Sequence, residues 1–290
     1  MKDGILLRPM RAADADGVYR TSHEALPATD EERRQVMNRS PEEVARRKER
    51  YRHFLEHDSK GAWVAVDGDR VAGVALALVR EGVWVLSLFA VAEEYRDRGL
   101  GKRLLDRTLR YAEGCRGAMI ASSTHPAAMR RYASAGFSLW PTLTASGRVR
   151  RESLPAGLTA REGTAEDLDL AARVDRAVRG ASHGPDLEFM LRSGSRMLVA
   201  DDARGAGYAV VWEGSPAILA ATTPGIATDL LWSCLAEGEA EMWVPWITGS
   251  QNWAVPVVLK AGLSLSPAGP ICVRGDLGPL TPYLPSGPFL

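Results

Sequence analysis

The sequence predicts an α/β (α+β) chain of two related domains, and three observations lead there. Over the first 137 residues, apolar runs of strand length and helical periodicities follow the order strand, two helices, three strands, helix, strand, helix. The length, 290 residues, suits two domains of ordinary size. The segment around Arg8 and the segment ending at Gly136 each recur further along, near Arg161 and Gly262.

Taken in order, Ile5 to Arg8 reads as a strand, and a helix follows with Ala15, Val18 and Tyr19 on one side. Pro27 to Arg39 is highly charged and reads as a loop or frayed helix. Ser40-Pro41-Glu42-Glu43 is a complete helix start, with Ser40 as cap, Pro41 first and Glu43 closing the box. Its helix runs to about Asp58 and turns Val44, Tyr51, Phe54 and Leu55 to the core. Trp63 to Val66 and Val71 to Val79 are strands joined by the turn Asp67-Gly68-Asp69. Ala118 to Ser122 is a short strand, and Pro126 to Ala135 a short helix stopped by Gly136.

The informative stretch lies between. Val83 to Val91 is apolar and rich in valine and aromatic residues, as a central strand is. After a charged turn, Leu100, Leu104, Leu105, Thr108, Leu109 and Ala112 recur at helical spacing. The turn reads Arg96-Asp97-Arg98-Gly99-Leu100-Gly101-Lys102. Glycines at Gly99 and Gly101 admit a close ligand, and a helix start presents unpaired N–H groups at the positive end of the dipole. With Arg96, Arg98 and Lys102 around it, the loop reads as a phosphate cradle. Neither the G-x-x-x-x-G-K-[ST] spacing nor G-x-G-x-x-G is present, so the P-loop and the dinucleotide fingerprint are excluded.

This loop resembles the R/Q-x-x-G-x-G/A signature of the GCN5-related N-acetyltransferases (GNAT). The resemblance extends to a later motif of that family, N-x-x-A-x-x-x-Y-x-x-x-G-F, matched by Ala128, Tyr132, Gly136 and Phe137, with His125 where asparagine is usual. It implies tandem domains, each a mixed, mostly antiparallel central sheet flanked by helices. It also implies acetyl-CoA as co-substrate, held by the loop Arg96, Asp97, Arg98, Gly99, Leu100, Gly101 and Lys102, by the strand end Phe89, Ala90 and Val91, and by His125. Tyr132 is the implied general acid. The acceptor is then an amine, on a small molecule or a peptide. The base is open among His23, Glu24, Glu31, Glu81 and water. The basic run Arg46-Arg47-Lys48-Glu49-Arg50 reads as an exposed helix face. For Trp63, Trp84 and Trp140, core packing is the better reading than a pocket lining.

The family's closing hairpin has little room between Phe137 and Arg150, so the first domain is expected to be completed by packing on the later half of the chain. Domain boundaries are set at 1–150 for the acetyl-CoA domain, 151–157 for a linker and 158–290 for a second, GNAT-like copy. Its offset falls from 153 (Arg8 to Arg161) to 126 (Gly136 to Gly262), so the second copy is 27 residues shorter. The loss is placed in the two-helix segment and the phosphate loop. Strands are expected at Met197–Ala200, Ala209–Trp212 and Ile218–Ala221, with Ala221-Thr222-Thr223-Pro224-Gly225-Ile226-Ala227 in the loop position. From Gly205 through Leu259 there is no lysine, arginine or histidine, and Val258 stands at the tyrosine position. Charge-assisted contacts to two phosphate groups are therefore missing, and the second copy reads as a non-catalytic partner. The proline-rich tail Pro279 to Leu290 is either a loose end or an arm lining the first domain's cleft.

Composition bounds the rest. A formal net charge of zero gives no overall pull toward nucleic acid or membranes. No run nears the ~18 apolar residues of a spanning helix, and the N-terminal apolar run is too short for a signal peptide. Cys115, Cys234 and Cys272 stand far apart, which fits reduced thiols in a cytoplasmic protein and gives no sequence-recognisable metal site. No metal is expected, and a homodimer is compatible with a sequence that leaves oligomeric state open. The leading function is an acetyl-CoA-dependent N-acetyltransferase. The alternatives are a non-catalytic acyl-CoA-binding sensor, whose C-terminal domain engages a partner, and a transferase of longer acyl chains.

Overall fold

A computed structural model describes residues 4–26, 39–212, 215–238 and 241–290. The chain divides into two compact units, Met1–Val79 with Trp84–Cys115, and Arg80–Val83 with Arg116–Leu290.

In the first unit, strands β1 (Leu6–Pro9), β2 (Ala62–Asp67), β3 (Arg70–Arg80) and β4 (Val83–Val91) lie in sequence order. The pairs β1–β2 and β2–β3 are antiparallel. Helices α1 (Ala15–Ala25) and α2 (Pro41–Asp58) connect β1 to β2, and α3 (Leu100–Leu109) follows β4. The capping box anticipated at α2 is formed. The Ser40 hydroxyl accepts from the Glu43 N–H at 3.2 Å, and the Glu43 carboxylate accepts from the Ser40 N–H at 2.5 Å. Helix α3 buries Leu100, Leu104 and Leu105 on the sheet. It comes close because β3 has a glycine beneath it: a β-carbon on Gly73 would sit 2.9 Å from Leu104 Cδ1.

The basic run on α2 departs from the expected exposed face. Arg46, Arg47, Lys48 and Arg50 are half-buried. Lys48 holds Asp16 of α1 at 2.5 Å and lies over the Tyr19 ring, so its stem packs between helices while its charge is neutralised. The loop reading for residues 27–38 lies outside the described residues.

The second unit begins with β5 (Gly117–Ala121), α4 (Pro126–Ser134) and β6 (Ser138–Arg148). After a short link come β7 (Arg161–Glu162), α5 (Leu168–Val178), α6 (Pro185–Arg192), β8 (Arg196–Asp202), β9 (Gly205–Trp212), β10 (Ser215–Ala221) and α7 (Pro224–Glu237). It closes with β11 (Glu241–Thr248), α8 (Ala254–Lys260), β12 (Ser264–Gly275) and β13 (Tyr283–Leu284). From β7 to β12 the element order repeats that from β1 to β6.

Two sheets run through this unit. One has the order β5-β12-β6-β11, the other β13-β10-β9-β8-β7, with antiparallel pairings throughout. Strand β12, from the end of the chain, lies between β5 and β6. The short stretch after Phe137 therefore makes one strand, and its missing hairpin partner is supplied by the later half. The core of this unit gathers around α7, where Ile226, Leu230, Leu231, Cys234 and Leu235 are fully buried.

The segment expected as a linker is pinned in place. Arg151 donates to the Ala236 carbonyl at 2.6 Å and to the Gly238 carbonyl, both at the C-terminal end of α7. Leu154 packs on the core. The tail is not loose: Tyr283, Leu284, Phe289 and Leu290 are buried, and β13 pairs with β10 of the same unit.

Candidate functional site

The loop after β4 is built as its residues require. Asp97 has φ 59° and Gly99 φ 74°, two left-handed positions that swing the chain from strand to helix. Gly99 is the N-cap of α3 and supplies no side-chain cap. Arg103 N–H already bonds the Gly99 carbonyl at 3.1 Å. The N–H groups of Leu100, Gly101 and Lys102 have no hydrogen-bond partner among the described residues, as at any uncapped helix start. Gly101 rests on the strand, where an added β-carbon would meet Phe89 Cζ at 3.4 Å.

The cations of this loop divide by role. Arg98 is exposed and makes no ion pair among the described residues. Lys102 is exposed and pairs with Asp106 at 2.7 Å, one turn along the same helix. Arg96 is differently placed. Its Nε donates to the Val91 carbonyl at 3.2 Å and its guanidinium to the Ala25 carbonyl at 3.1 Å. Arg96 thus ties the end of β4 to the end of α1, a positioning role that loop composition alone does not distinguish from ligand contact.

Phe89 and Val91 lie on the core beneath α3, with Ala90 buried. Trp84 also faces α3, donating from Nε1 to the Thr108 carbonyl at 3.2 Å. Trp84 is a core residue, as expected of a strand tryptophan.

Among the candidate bases, Glu81 is removed by its own contacts. Its carboxylate takes the Arg176 guanidinium at 2.6 Å and the Ser182 N–H at 3.0 Å, and the Arg176 bond chiefly holds it below the usual carboxylate range. Glu24 is exposed and 3.9 Å from Arg70. Glu31 lies outside the described residues. His23 is half-buried and stacked on Tyr19 at 3.8 Å, with Nδ1 2.6 Å from the Tyr19 carbonyl oxygen. A carbonyl only accepts, so Nδ1 carries the hydrogen and Nε2 the lone pair. Burial, aided by Arg39, Arg47 and Arg50, brings the imidazole down to about 4.

Tyr132 and His125 belong to the second unit, on α4. His125 is exposed and caps the helix, its Nδ1 accepting from the Ala127 N–H at 3.3 Å. Tyr132 is buried; desolvation, and then the neighbouring Cys272 thiol, raise its phenol well above the ordinary value. Its backbone carbonyl accepts from the Phe137 N–H at 3.1 Å, and Gly136 has φ 83°, which closes the helix. Cys272, on β12, is pushed up to about 12 by burial. That neighbour comes from 140 positions along the chain, and no local motif reports it.

A strand end, a left-handed glycine and an uncapped helix start together leave N–H donors of the kind that take an anion. Residues 27–137 match the family model described as the Acetyltransferase (GNAT) family. Over nearly its whole length the chain is similar in fold to a candidate acetyltransferase from Pyrococcus horikoshii, at 17% identity and TM-score 0.78, covering 99% of this chain and 95% of that one. It is also similar to GCN5-related N-acetyltransferases from Sphaerobacter thermophilus (16% identity, TM-score 0.62, 95% and 96% covered) and Kribbella flavida (16%, 0.57, 93% and 71%). No curated protein matches the chain in sequence. Among the described residues, no helix is long and apolar enough to cross a membrane, and no group of histidine, cysteine, aspartate or glutamate side chains could hold a metal ion.

Proposed function

We propose that the protein is an acetyl-CoA-dependent N-acetyltransferase with one cofactor site, formed by the loop Arg96–Lys102 and the strand end Phe89–Val91. The observation that carries this reading is the uncapped start of α3, where three N–H groups follow an exposed Arg98 that makes no ion pair among the described residues. A pyrophosphate would take those donors, and Arg98 and Lys102 would supply charge. Gly101, at the same helix start, rests on Phe89, which supports the thioester arm lying along Phe89–Val91.

In the reaction the acceptor nitrogen attacks the thioester carbonyl, the C–S bond breaks, and the departing thiolate takes a proton. Tyr132 is the proton donor in this reading. Its buried environment keeps the phenol protonated, which suits an acid and disqualifies it as a base. An imidazole at about 4 is a weak base, so His23 accepts a hydrogen bond from an amine that arrives unprotonated, and water removes the proton. The acceptor is an amine of a small molecule or a peptide.

Calorimetric titration of acetyl-CoA into the intact protein and into Gly99→Trp tests the site. One site per chain, lost in the variant, is expected; no binding to the intact protein refutes the reading. Thiol release over a panel of amines then identifies the acceptor.

A further inference from the structure

The tail of the chain sits on a strand end that has a counterpart in the first half. In both halves the third strand of the three-strand run leads to a helix start: β4 ends at Val91 before α3, and β10 ends at Ala221 before α7. Counting back from those ends, Leu219, Ala220 and Ala221 correspond to Phe89, Ala90 and Val91. On β10 these three residues are already engaged. Leu219 pairs with Leu284 and Ala220 with Tyr283, and the Ala221 N–H donates to the Pro282 carbonyl at 3.2 Å.

We propose that the tail, residues 280–290, is a resident peptide whose strand β13 occupies, in the second half, the edge that carries the acyl arm in the first. The comparison rests on Phe89–Val91 being the cofactor edge. By this inference the chain takes one acyl-CoA because its second strand edge is permanently filled by its own peptide.

The anchoring is too extensive for a transient lid. Gln251 grips the strand from both sides of its backbone, donating to the Leu280 carbonyl at 2.6 Å and accepting from the Tyr283 N–H at 2.9 Å. The Tyr283 hydroxyl meets His183 Nε2 at 3.3 Å, and His183 Nδ1 is fixed by Asp175 at 2.8 Å. Tyr208 donates to the same Asp175 at 2.6 Å, so the tail's tyrosine closes a buried polar network whose other members are fully enclosed. Beyond it, the buried Arg179 guanidinium donates to the Leu290 main-chain oxygen. An unpaired β10 edge exposes backbone donors and acceptors, and the resident strand removes that liability.

Amide hydrogen exchange on the intact protein, with and without acetyl-CoA, tests this. The Ala221 amide should exchange slowly without ligand and be unchanged by it, while Phe89–Val91 and Leu100–Lys102 slow at least tenfold when acetyl-CoA is added. Gln251→Ala, which removes both Gln251 bonds to the tail's backbone, should speed Ala221 at least tenfold and leave Phe89–Val91 as they were. Fast exchange at Ala221 in the ligand-free protein, or slowing there on adding acetyl-CoA, overturns the resident strand alone. Slow exchange at Ala221 with no ligand effect at Phe89–Val91 overturns instead the cofactor reading, and with it the correspondence of the two edges.

Discussion

The helix starts at Leu100 and Pro224 close the same strand-turn-helix unit in two halves of one chain, and they differ in what they leave open. Helix α3 begins after a left-handed Gly99 with no side-chain cap, and it is amphipathic, with Lys102, Arg103 and Arg107 facing outward. Helix α7 begins at Thr223, whose hydroxyl accepts from the Ile226 N–H at 3.4 Å, and it is buried nearly all round. A helix so enclosed has little exposed face, which fits the absence of lysine, arginine and histidine from α7 itself. Arg204 is held by Asp202 at 2.7 Å and by Asp229 of α7 at 2.8 Å. One helix start leaves its N–H groups uncapped, and the other is a capped core element.

Other features of the halves agree closely. Arg8 grips Asp14 with two bonds of 2.7 Å, and Arg161 grips Asp167 with bonds of 2.6 and 2.9 Å. Gly136 and Gly262 end their helices at φ 83° and 91°, followed by Phe137 N–H on Tyr132 and Leu263 N–H on Val258. These shared details favour our proposal of a duplicated domain whose second copy lost its cofactor site while keeping its frame.

Five experiments break or sharpen the comparison. The largest effect is expected from Gly99→Trp, which fills the cradle and forces a large side chain into a left-handed conformation: acetyl-CoA binding should fall below detection by calorimetry. The parallel change Gly225→Trp, at a position with open space around it, should leave acetyl-CoA binding unaltered. Tyr132→Phe comes next, lowering kcat by about 10²-fold or more with unchanged acetyl-CoA affinity. A variant with full activity would remove Tyr132 as the acid, acetyl-CoA binding without turnover in either protein would favour the sensor reading, and turnover with bulkier thioesters separates the longer-chain alternative.

Third is stability. Arg80 and Asp186 form a buried two-bond pair at 2.7 and 2.8 Å. Arg80→Ala should cost about 3–5 kcal/mol in denaturant unfolding, because the buried Asp186 carboxylate loses both of its bonds to Arg80, and Arg80→Met with Asp186→Leu should recover much of it. Fourth, Asp14→Asn and Asp167→Asn should each cost about 1 kcal/mol, discounted for solvent screening, and by similar amounts if the two caps are equivalent. Asp167 is held at about 2 chiefly by its bonds with Arg161, so its contribution is present above the ordinary carboxylate value and fades as the pH falls toward 2.

The smallest effect concerns His23. Its folded value, about 4, lies below the ordinary 6.5, so between those pH values the unfolded chain binds a proton that the folded chain excludes. Stability should therefore decline as pH drops through that window, and His23→Gln should flatten the decline in pH-dependent thermal unfolding. The second half has Arg176 at the matching helix position, which does not titrate there.

Much was legible in the residues themselves. Strand β4 and the start of α3 fall where apolar run and glycine turn place them, because strand length and helical period are local properties. The box at Ser40 and the stop at Gly136 were legible for the same reason: each is a contact within a few residues. The shortening of the second half also shows where expected, with residues 163–195 against 10–61 and a loop of 222–223 against 92–99. Tertiary structure decided what depends on distant partners. Arg96 bonds backbone carbonyls, which any loop arginine could reach or miss. Glu81 is an anchor for Arg176 because the β3–β4 turn meets α5, 95 residues on. The insertion of β12 between β5 and β6, Cys272 beside Tyr132, and the tail on β10 likewise join residues far apart in sequence. Local periodicity specifies which face a segment buries, but the partner it buries against is chosen by the whole chain's packing, and one sequence has no spacing that records it.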